Sequence, residues 1–166
     1  MSERATLVLE VSAEADATNP TISPAVPPIV ADVVSTTTIT VQAIDSNGIN
    51  LTSGGDAVVL TTTAGTLSPV TDNGNGTYSA TLTAPTLIGT ATITGSMNTA
   101  AITDNAIVEF TSGTASPINS TISSAAPAVV ANGTSKTIIT VQAIDSNGNN
   151  LTSGGDAVLL NTTAGT

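Results

Sequence analysis

The sequence contains no cysteine and no histidine. These two absences exclude disulfide bonds, metal sites built on thiolate or imidazole ligands, and nucleophilic centres of the Cys–His or Ser–His–Asp type. The acidic residues form no pair at a recognisable catalytic spacing. The chain is therefore predicted not to be an enzyme. A metal site could use oxygen ligands alone, which is typical of calcium.

Positive charge is also scarce. Arg4 and Lys136 are the only cationic residues, against 12 acidic ones, and the formal net charge is −10. Binding to a nucleic-acid backbone requires clustered Lys and Arg, so nucleic acid is excluded as a partner. Binding to anionic membrane surfaces is disfavoured for the same reason.

Long apolar segments are missing as well. No run approaches the roughly 20 residues that a membrane-spanning helix needs, so no membrane insertion is predicted. The N-terminus does not have the pattern of a signal peptide, because Glu3 lies beside Arg4 and Glu10 interrupts the short apolar stretch. An exported protein with this sequence is expected to have its signal elsewhere.

Aromatic residues make up only 1% of the chain, whereas hydrophobic residues make up 40%. The two aromatic residues are Tyr78 and Phe110. Both lie on the apolar side of an alternating segment, which indicates packing rather than ligand recognition. The remainder of the core is predicted to consist of Val, Ile, Leu and Ala.

What the sequence does contain is an internal repeat with a period of 100 residues. A period of this length is that of a domain rather than of a solenoid unit. We predict a complete repeat at 17–116, a truncated second repeat at 117–166, and, in 1–16, a strand that remains from a preceding repeat. Residues 35–66 and 135–166 differ at five of their 32 positions: Thr36/Lys136, Thr38/Ile138, Ile49/Asn149, Val59/Leu159 and Thr61/Asn161.

A truncated second repeat is expected to expose a sheet edge and an apolar face. Three explanations stay open at this point. The chain is a fragment of a longer protein, it was cut for convenience, or a strand from another molecule completes the second repeat.

The distribution of apolar residues predicts an all-β fold. Apolar and polar residues alternate with the period of two that is typical of strands with one buried face. A more continuous apolar run at 56–62 predicts a strand with both faces partly covered. The alternating segments are 38–44, 77–83, 89–95 and 105–111.

Turn residues separate these predicted strands. Pro24, Pro27 and Pro28 favour an edge strand or a linker near the start of the complete repeat. Asn-Gly pairs tolerate the positive φ that tight turns require. About seven short strands in 100 residues indicate an immunoglobulin-like β-sandwich, present in tandem repeats of about 100 residues.

Three sequence blocks resemble a known family. They are TITVQAIDSNG at 38–48, LTTTAGTLS at 60–68 and DNGNGTYSATLTA at 72–84. In this order within one unit they resemble the bacterial immunoglobulin-like repeats of the invasin/intimin type, in particular the invasin domain 3 class. The third block is also similar to filamin repeats, so it indicates the sandwich more than the lineage.

The resemblance implies a function. Members of this family are tandem stalk modules of large bacterial surface adhesins, so it implies a non-catalytic structural spacer at the cell surface or outside the cell. It implies neighbouring immunoglobulin-like repeats as partners, and a host-surface or glycan ligand bound through domains outside this chain. The alternative is an immunoglobulin-like structural or decoration component of a phage virion.

The segment DSNGIN at 45–50 is the candidate metal site. Asp45, Asn47 and Asn50 offer oxygen ligands. An EF-hand loop has glycine at its sixth position and glutamate at its twelfth, whereas here Gly48 is fourth and no glutamate follows. A hairpin turn is the favoured interpretation, and a weak calcium site is the alternative. No other cofactor is expected.

Overall fold

A computed structural model describes residues 14–164, and they form an all-β structure. The first sheet has the strand order β1-β3-β7-β5, with β6 also paired to β7. The second has the order β2-β10-β8-β4, with β9 also paired to β8. The strands of these sheets are β1 (Thr21–Pro24), β2 (Ile29–Val30), β3 (Thr36–Gln42), β4 (Val58–Thr62), β5 (Thr66–Leu67), β6 (Thr71–Asp72), β7 (Thr77–Thr83), β8 (Gly89–Met97), β9 (Ala100–Ala101) and β10 (Ala106–Thr111).

The two sheets pack face to face, so the predicted immunoglobulin-like β-sandwich is confirmed. All pairs are antiparallel except β2 with β10, which is parallel. The part of the chain that the structure describes contains no helix, and hence none long and apolar enough to cross a membrane. The strand predicted within residues 1–16 lies almost entirely outside the described residues.

Alternate residues of the central strands meet between the sheets. The apolar faces predicted from the period of two are confirmed in β3, β7, β8 and β10, because their inward side chains are almost fully buried. Full burial of one such aliphatic side chain stabilises the fold by about 1.5–3 kcal/mol. The largest inward residues are Ile39, Val41, Tyr78, Leu82, Ile93, Val108 and Phe110.

Tyr78 connects the core to the loop that precedes β4. Its hydroxyl donates to Asp56 Oδ2 at 3.1 Å and accepts from the backbone N–H of Asp56 at 2.9 Å. Burial raises the pKa of the tyrosine, and the Asp56 carboxylate adds to this rise. Tyr78 and Phe110 are both core residues, as the sequence predicted.

For the strands at the sheet edges, one prediction from the sequence is confirmed and another is only partly correct. The prolines behave as predicted, since Pro24 ends the edge strand β1, and Pro27 and Pro28 lie in the connection to β2. The run at 56–62 does contain a strand, β4, but the prediction that both of its faces are partly covered was wrong, because β4 is the outer strand of the second sheet and Val59 is 58% exposed. Its continuous apolar run therefore places one valine on the solvent side.

The second repeat repeats the local strand pairing of the first. Strands β11 (Thr121–Ser124) and β12 (Ile139–Gln142) pair antiparallel in the register of β1 and β3, shifted by 100 residues. Their apolar face is open, however: Ile139 is 45% exposed, whereas Ile39 is fully buried. The two strands thus pair without the rest of the sandwich, whereas burial of their apolar side chains requires the second sheet.

Candidate functional site at the junction of the repeats

The candidate loop 45–50 is organised by its own aspartate. Asp45 Oδ1 accepts the backbone N–H groups of Asn47 and Ile49, both at 2.9 Å. The Asp45 N–H donates to the Ile49 carbonyl at 2.9 Å, and Ile44 and Asn50 close the loop as an isolated bridge. The N–H of Ile49 is the main cause that holds the pKa of Asp45 below its usual value.

The equivalent loop of the second repeat, 145–150, has the same internal geometry. Asp145 Oδ1 accepts the N–H groups of Asn147 at 2.9 Å and Asn149 at 2.8 Å. Unlike its counterpart, this loop lies against the end of the first repeat. We call it the docking loop.

Asn149 makes the most extensive contact of the docking loop. Its Nδ2 donates to the carbonyl of Thr86 at 2.9 Å, and its Oδ1 accepts the N–H of Ile88 at 3.2 Å. The same Nδ2 donates to Asp145 Oδ2 at 3.0 Å within the loop. The amide thus binds one carbonyl and one N–H in the connection between β7 and β8.

Two further side chains of the docking loop bind backbone groups of the first repeat. Asp145 Oδ2 accepts the N–H of Gly113, which follows β10, at 3.0 Å. Asn147 Nδ2 donates to the carbonyl of Ala31, which follows β2, at 3.1 Å. Together with Asn149, these contacts fix the loop to three separate segments at one end of the sandwich.

Asp145 and Asn149, at the centre of the junction, are buried, and their polar groups are paired. Asp145 is 1% exposed and Asn149 is 4% exposed, whereas Ile49, the counterpart of Asn149, is 64% exposed. Within residues 14–164, no buried side-chain nitrogen or oxygen lacks a hydrogen-bond partner. Since an unpaired buried polar group costs about 1–3 kcal/mol, complete pairing is what makes a polar junction stable.

The segment that links the repeats is attached to the second one. The N–H of Ser116 donates to the Ile144 carbonyl at 2.7 Å, and Asn119 Nδ2 donates to the Asp145 carbonyl at 2.8 Å. Ala115 also forms a bridge with Asp145. Very little chain separates this attachment from Gly113, so the linker itself restricts motion between the repeats.

The pKa of Asp145 is lowered to about 2. Burial raises it, but the hydrogen bonds from the Asn149 side chain, the Asn149 N–H, the Gly113 N–H and the Asn147 N–H together outweigh burial. Three of these four donors belong to the docking loop, and the fourth, the Gly113 N–H, belongs to the first repeat. The ionised form of Asp145 is therefore linked to the docked state.

Lowering the pH is expected to loosen the junction. The folded pKa of Asp145, about 2, is below its ordinary value of 3.8, so its contribution is present above about pH 4 and is lost as the pH falls towards 2. Because the chain lacks cysteine, Thr38→Cys and Thr140→Cys give two unique spin-label positions, both exposed and one in each repeat. We expect the distance distribution between the labels to broaden between pH 5 and pH 2.

The control for this experiment is Asp145→Asn. The pKa of Asp32 is also lowered, mainly by the N–H of Ser35, so acid affects the first repeat by itself. Asn at position 145 cannot ionise, so broadening of its distance distribution between pH 5 and pH 2 measures the effect of acid on groups other than Asp145. We expect this broadening to be smaller than that of the unsubstituted chain. An equally narrow distribution for the unsubstituted chain at both pH values would contradict the role given to Asp145.

The structure places the three predicted calcium ligands in one loop. Asp45 uses its carboxylate to accept loop N–H groups, and the side chains of Asn47 and Asn50 are exposed. Across the described part of the chain, no three acidic side chains come together as a metal-binding group. The calcium site stays a prediction, beside the turn interpretation.

A calcium titration distinguishes the two interpretations of this loop. We expect no heat of binding in calorimetry at millimolar calcium, because Asp45 Oδ1 is already engaged by two N–H groups. A saturable heat that disappears in Asp45→Asn would establish the calcium site instead.

The sequence indicated loop 45–50 as a candidate site but not the contact that its second copy makes with the first repeat. The partners of the docking loop are backbone groups of Ala31, Thr86, Ile88 and Gly113, which have no sequence signature. The one available signal was the exchange of Ile49 for Asn149 between otherwise identical loops.

Comparisons with known proteins agree with this architecture. A family model described as "Invasin, domain 3" matches residues 16–113 and 116–166. The structure is similar to that of invasin, a bacterial integrin-binding protein, at 30% identity and a TM-score of 0.74 over 86% of this chain. It is also similar to InvD of Yersinia pseudotuberculosis, at 31% identity and a TM-score of 0.67 over 81% of this chain.

A third similar structure is that of FdeC, an Escherichia coli adhesin, at 26% identity and a TM-score of 0.60 over 84% of this chain. The present chain spans 29% of the invasin chain, 39% of the InvD chain and 44% of the FdeC chain.

Proposed function

The chain belongs to the invasin domain 3 family, and we propose on that basis that it is a non-catalytic spacer module in the stalk of a bacterial cell-surface adhesin. The junction between its repeats is the observation that supports this most directly. Side chains of Asp145, Asn147 and Asn149 bind three separate segments of the first repeat. Contacts to three segments restrict bending in more than one direction, as a stiff spacer requires.

The position of the docking loop also suits a spacer. Strand β3 leads into loop 45–50 at one end of the sandwich, and its antiparallel neighbour β7 leads into residues 84–88 at the opposite end. The docking loop of the second repeat contacts that opposite end. The repeats therefore stack head to tail, and the length of an array grows with its number of repeats.

The relatives named as an adhesin and as an integrin-binding protein support the cell surface over the phage virion as location. We propose neighbouring immunoglobulin-like repeats as the direct partners, and binding of a host-surface or glycan ligand through domains outside this chain. The net charge of −10 makes neighbouring stalks repel one another.

The spacer function can be tested with arrays that keep the observed junction. Appending residues 67–166 to the chain once, twice or three times completes the second repeat and adds units that all have Asn149 in their docking loop. Small-angle X-ray scattering should show a maximum dimension that increases by a constant step of about 3 nm, the length of a nine-residue strand such as β8. Growth with the square root of the copy number would show a flexible tether and overturn the proposal.

The proposed location needs a separate experiment. Antibodies raised against the chain should label the surface of intact source bacteria in immunogold electron microscopy. Labelling confined to phage particles would overturn the cell-surface proposal and support the virion alternative.

A further inference from the structure

The five positions that differ between the copies are not equivalent in the structure. Four of them are exposed in both repeats, so their exchange changes no buried contact. The pair Ile49 and Asn149 differs from the rest, since Ile49 is exposed and Asn149 is buried against the neighbouring repeat. The one exchange that alters a buried contact thus lies at the fifth residue of the loop.

The contact made by Asn149 is specific to an amide. Thr86 supplies a carbonyl and Ile88 supplies an N–H, and the amide of Asn149 pairs with both. An isoleucine in this place has neither donor nor acceptor. It would leave the Thr86 carbonyl and the Ile88 N–H without these partners.

An isoleucine would also disturb Asp145. Asn149 Nδ2 donates to Asp145 Oδ2, the same oxygen that accepts the N–H of Gly113. Loss of the amide leaves this nearly buried carboxylate with one fewer donor, which weakens its contact with the first repeat.

We propose that the fifth residue of this loop determines which repeat end the loop accepts. Asparagine selects an end that offers a carbonyl and an N–H as Thr86 and Ile88 do, and isoleucine rejects such an end. The loop 45–50 of the first repeat, with Ile49, therefore does not fit an end of the kind that the first repeat itself presents. This inference rests on the proposed function, because a choice of neighbour matters only in a chain of repeats.

Exchange of the two residues tests the proposal in the full chain. With spin labels at Thr38→Cys and Thr140→Cys, Asn149→Ile should lose the narrow distance distribution of the unsubstituted chain. The matched control Ile49→Asn makes the opposite exchange in the loop outside this junction and should keep the narrow distribution. A narrow distribution in Asn149→Ile would overturn the proposal, and a broad one in Ile49→Asn would show that the effect is not local.

A second variant separates loss of the amide from steric effects. Asn149→Ser removes the amide without adding volume and should broaden the distribution as Asn149→Ile does. Denaturation followed by Tyr78 fluorescence should show that the first repeat stays folded in both variants, since Tyr78 is the only tyrosine and tryptophan is absent. A narrow distribution in Asn149→Ser would overturn the role of the amide.

The outcomes distinguish this inference from the proposed function. A broad distribution of label distances in the unsubstituted chain would contradict a stiff spacer and so overturn the proposed function itself. A narrow distribution in both the unsubstituted chain and Asn149→Ile would leave the spacer intact and overturn only the selection by residue 149.

Discussion

Ile39→Ala is expected to lower the free energy of unfolding of the first repeat by about 2–5 kcal/mol. Ile39 is fully buried in the middle of β3, opposite Ala80 of β7, and it faces the second sheet. Its truncation removes apolar contact and leaves a cavity that a two-sheet core fills poorly. Urea denaturation followed by Tyr78 fluorescence measures this loss, with an unchanged dependence on urea concentration as evidence that only stability has changed.

The internal repeat supplies a matched control for this substitution. Ile139 is the counterpart of Ile39 and pairs with β11 in the register in which Ile39 pairs with β1, but it is 45% exposed. Ile139→Ala should therefore change the unfolding of the first repeat by at most about 1 kcal/mol. Equal losses for the two variants would mean that burial in the sandwich does not explain the role of Ile39.

Gly76→Ala is expected to be the most damaging substitution in a turn, at about 3 kcal/mol. Gly76 has φ of +80°, which already disfavours a side chain. An added Cβ would also collide with the carbonyl of Leu51, the residue directly after loop 45–50. That carbonyl accepts from Gln42 Nε2, which also donates to the Gly76 carbonyl, so the collision would displace a hydrogen-bonded cluster.

Gly74 is the control for strain alone. It lies two residues earlier in the same turn with φ of +74°, and an added Cβ would meet open space. We expect Gly74→Ala to cost about 1 kcal/mol by the same denaturation measurement. A cost for Gly76→Ala no greater than that for Gly74→Ala would contradict the close approach of Leu51.

The sequence predicted the sandwich because its signals are local. Alternation in 77–83 identified β7 and its inward residues Tyr78, Ala80 and Leu82, since a period of two needs only neighbouring residues to be seen. The apolar run at 56–62 was misinterpreted for a related reason. Whether Val59 is covered depends on the position of β4 in the sheet, and no local pattern contains that information.

The junction could not be predicted from the sequence in the same way. Asn149 binds backbone groups that lie 61 and 63 residues away, and every residue type has such groups. Before folding, nothing distinguishes the Thr86 carbonyl from any other. The Asx-type turn around Asp45 and Asp145, by contrast, has local causes. The short aspartate side chain accepts the N–H of the residue two positions later, and Gly48 and Gly148 accommodate the positive φ of the loop.

The shared register of the two strand pairs has a consequence for the order in which such a protein folds. As a chain emerges from the ribosome, the first half of each repeat appears before the second, with its apolar half-sheet uncovered. The five differing positions are all exposed in the first repeat, so the inward surfaces of β3 and β12 are the same. In a tandem array, the strand of a later repeat that is equivalent to β7 therefore meets two equivalent partners, the first half-sheet of its own repeat and that of an earlier repeat whose β7 has not yet docked. Docking of β7 within one repeat before the next repeat emerges would keep neighbouring repeats from exchanging strands.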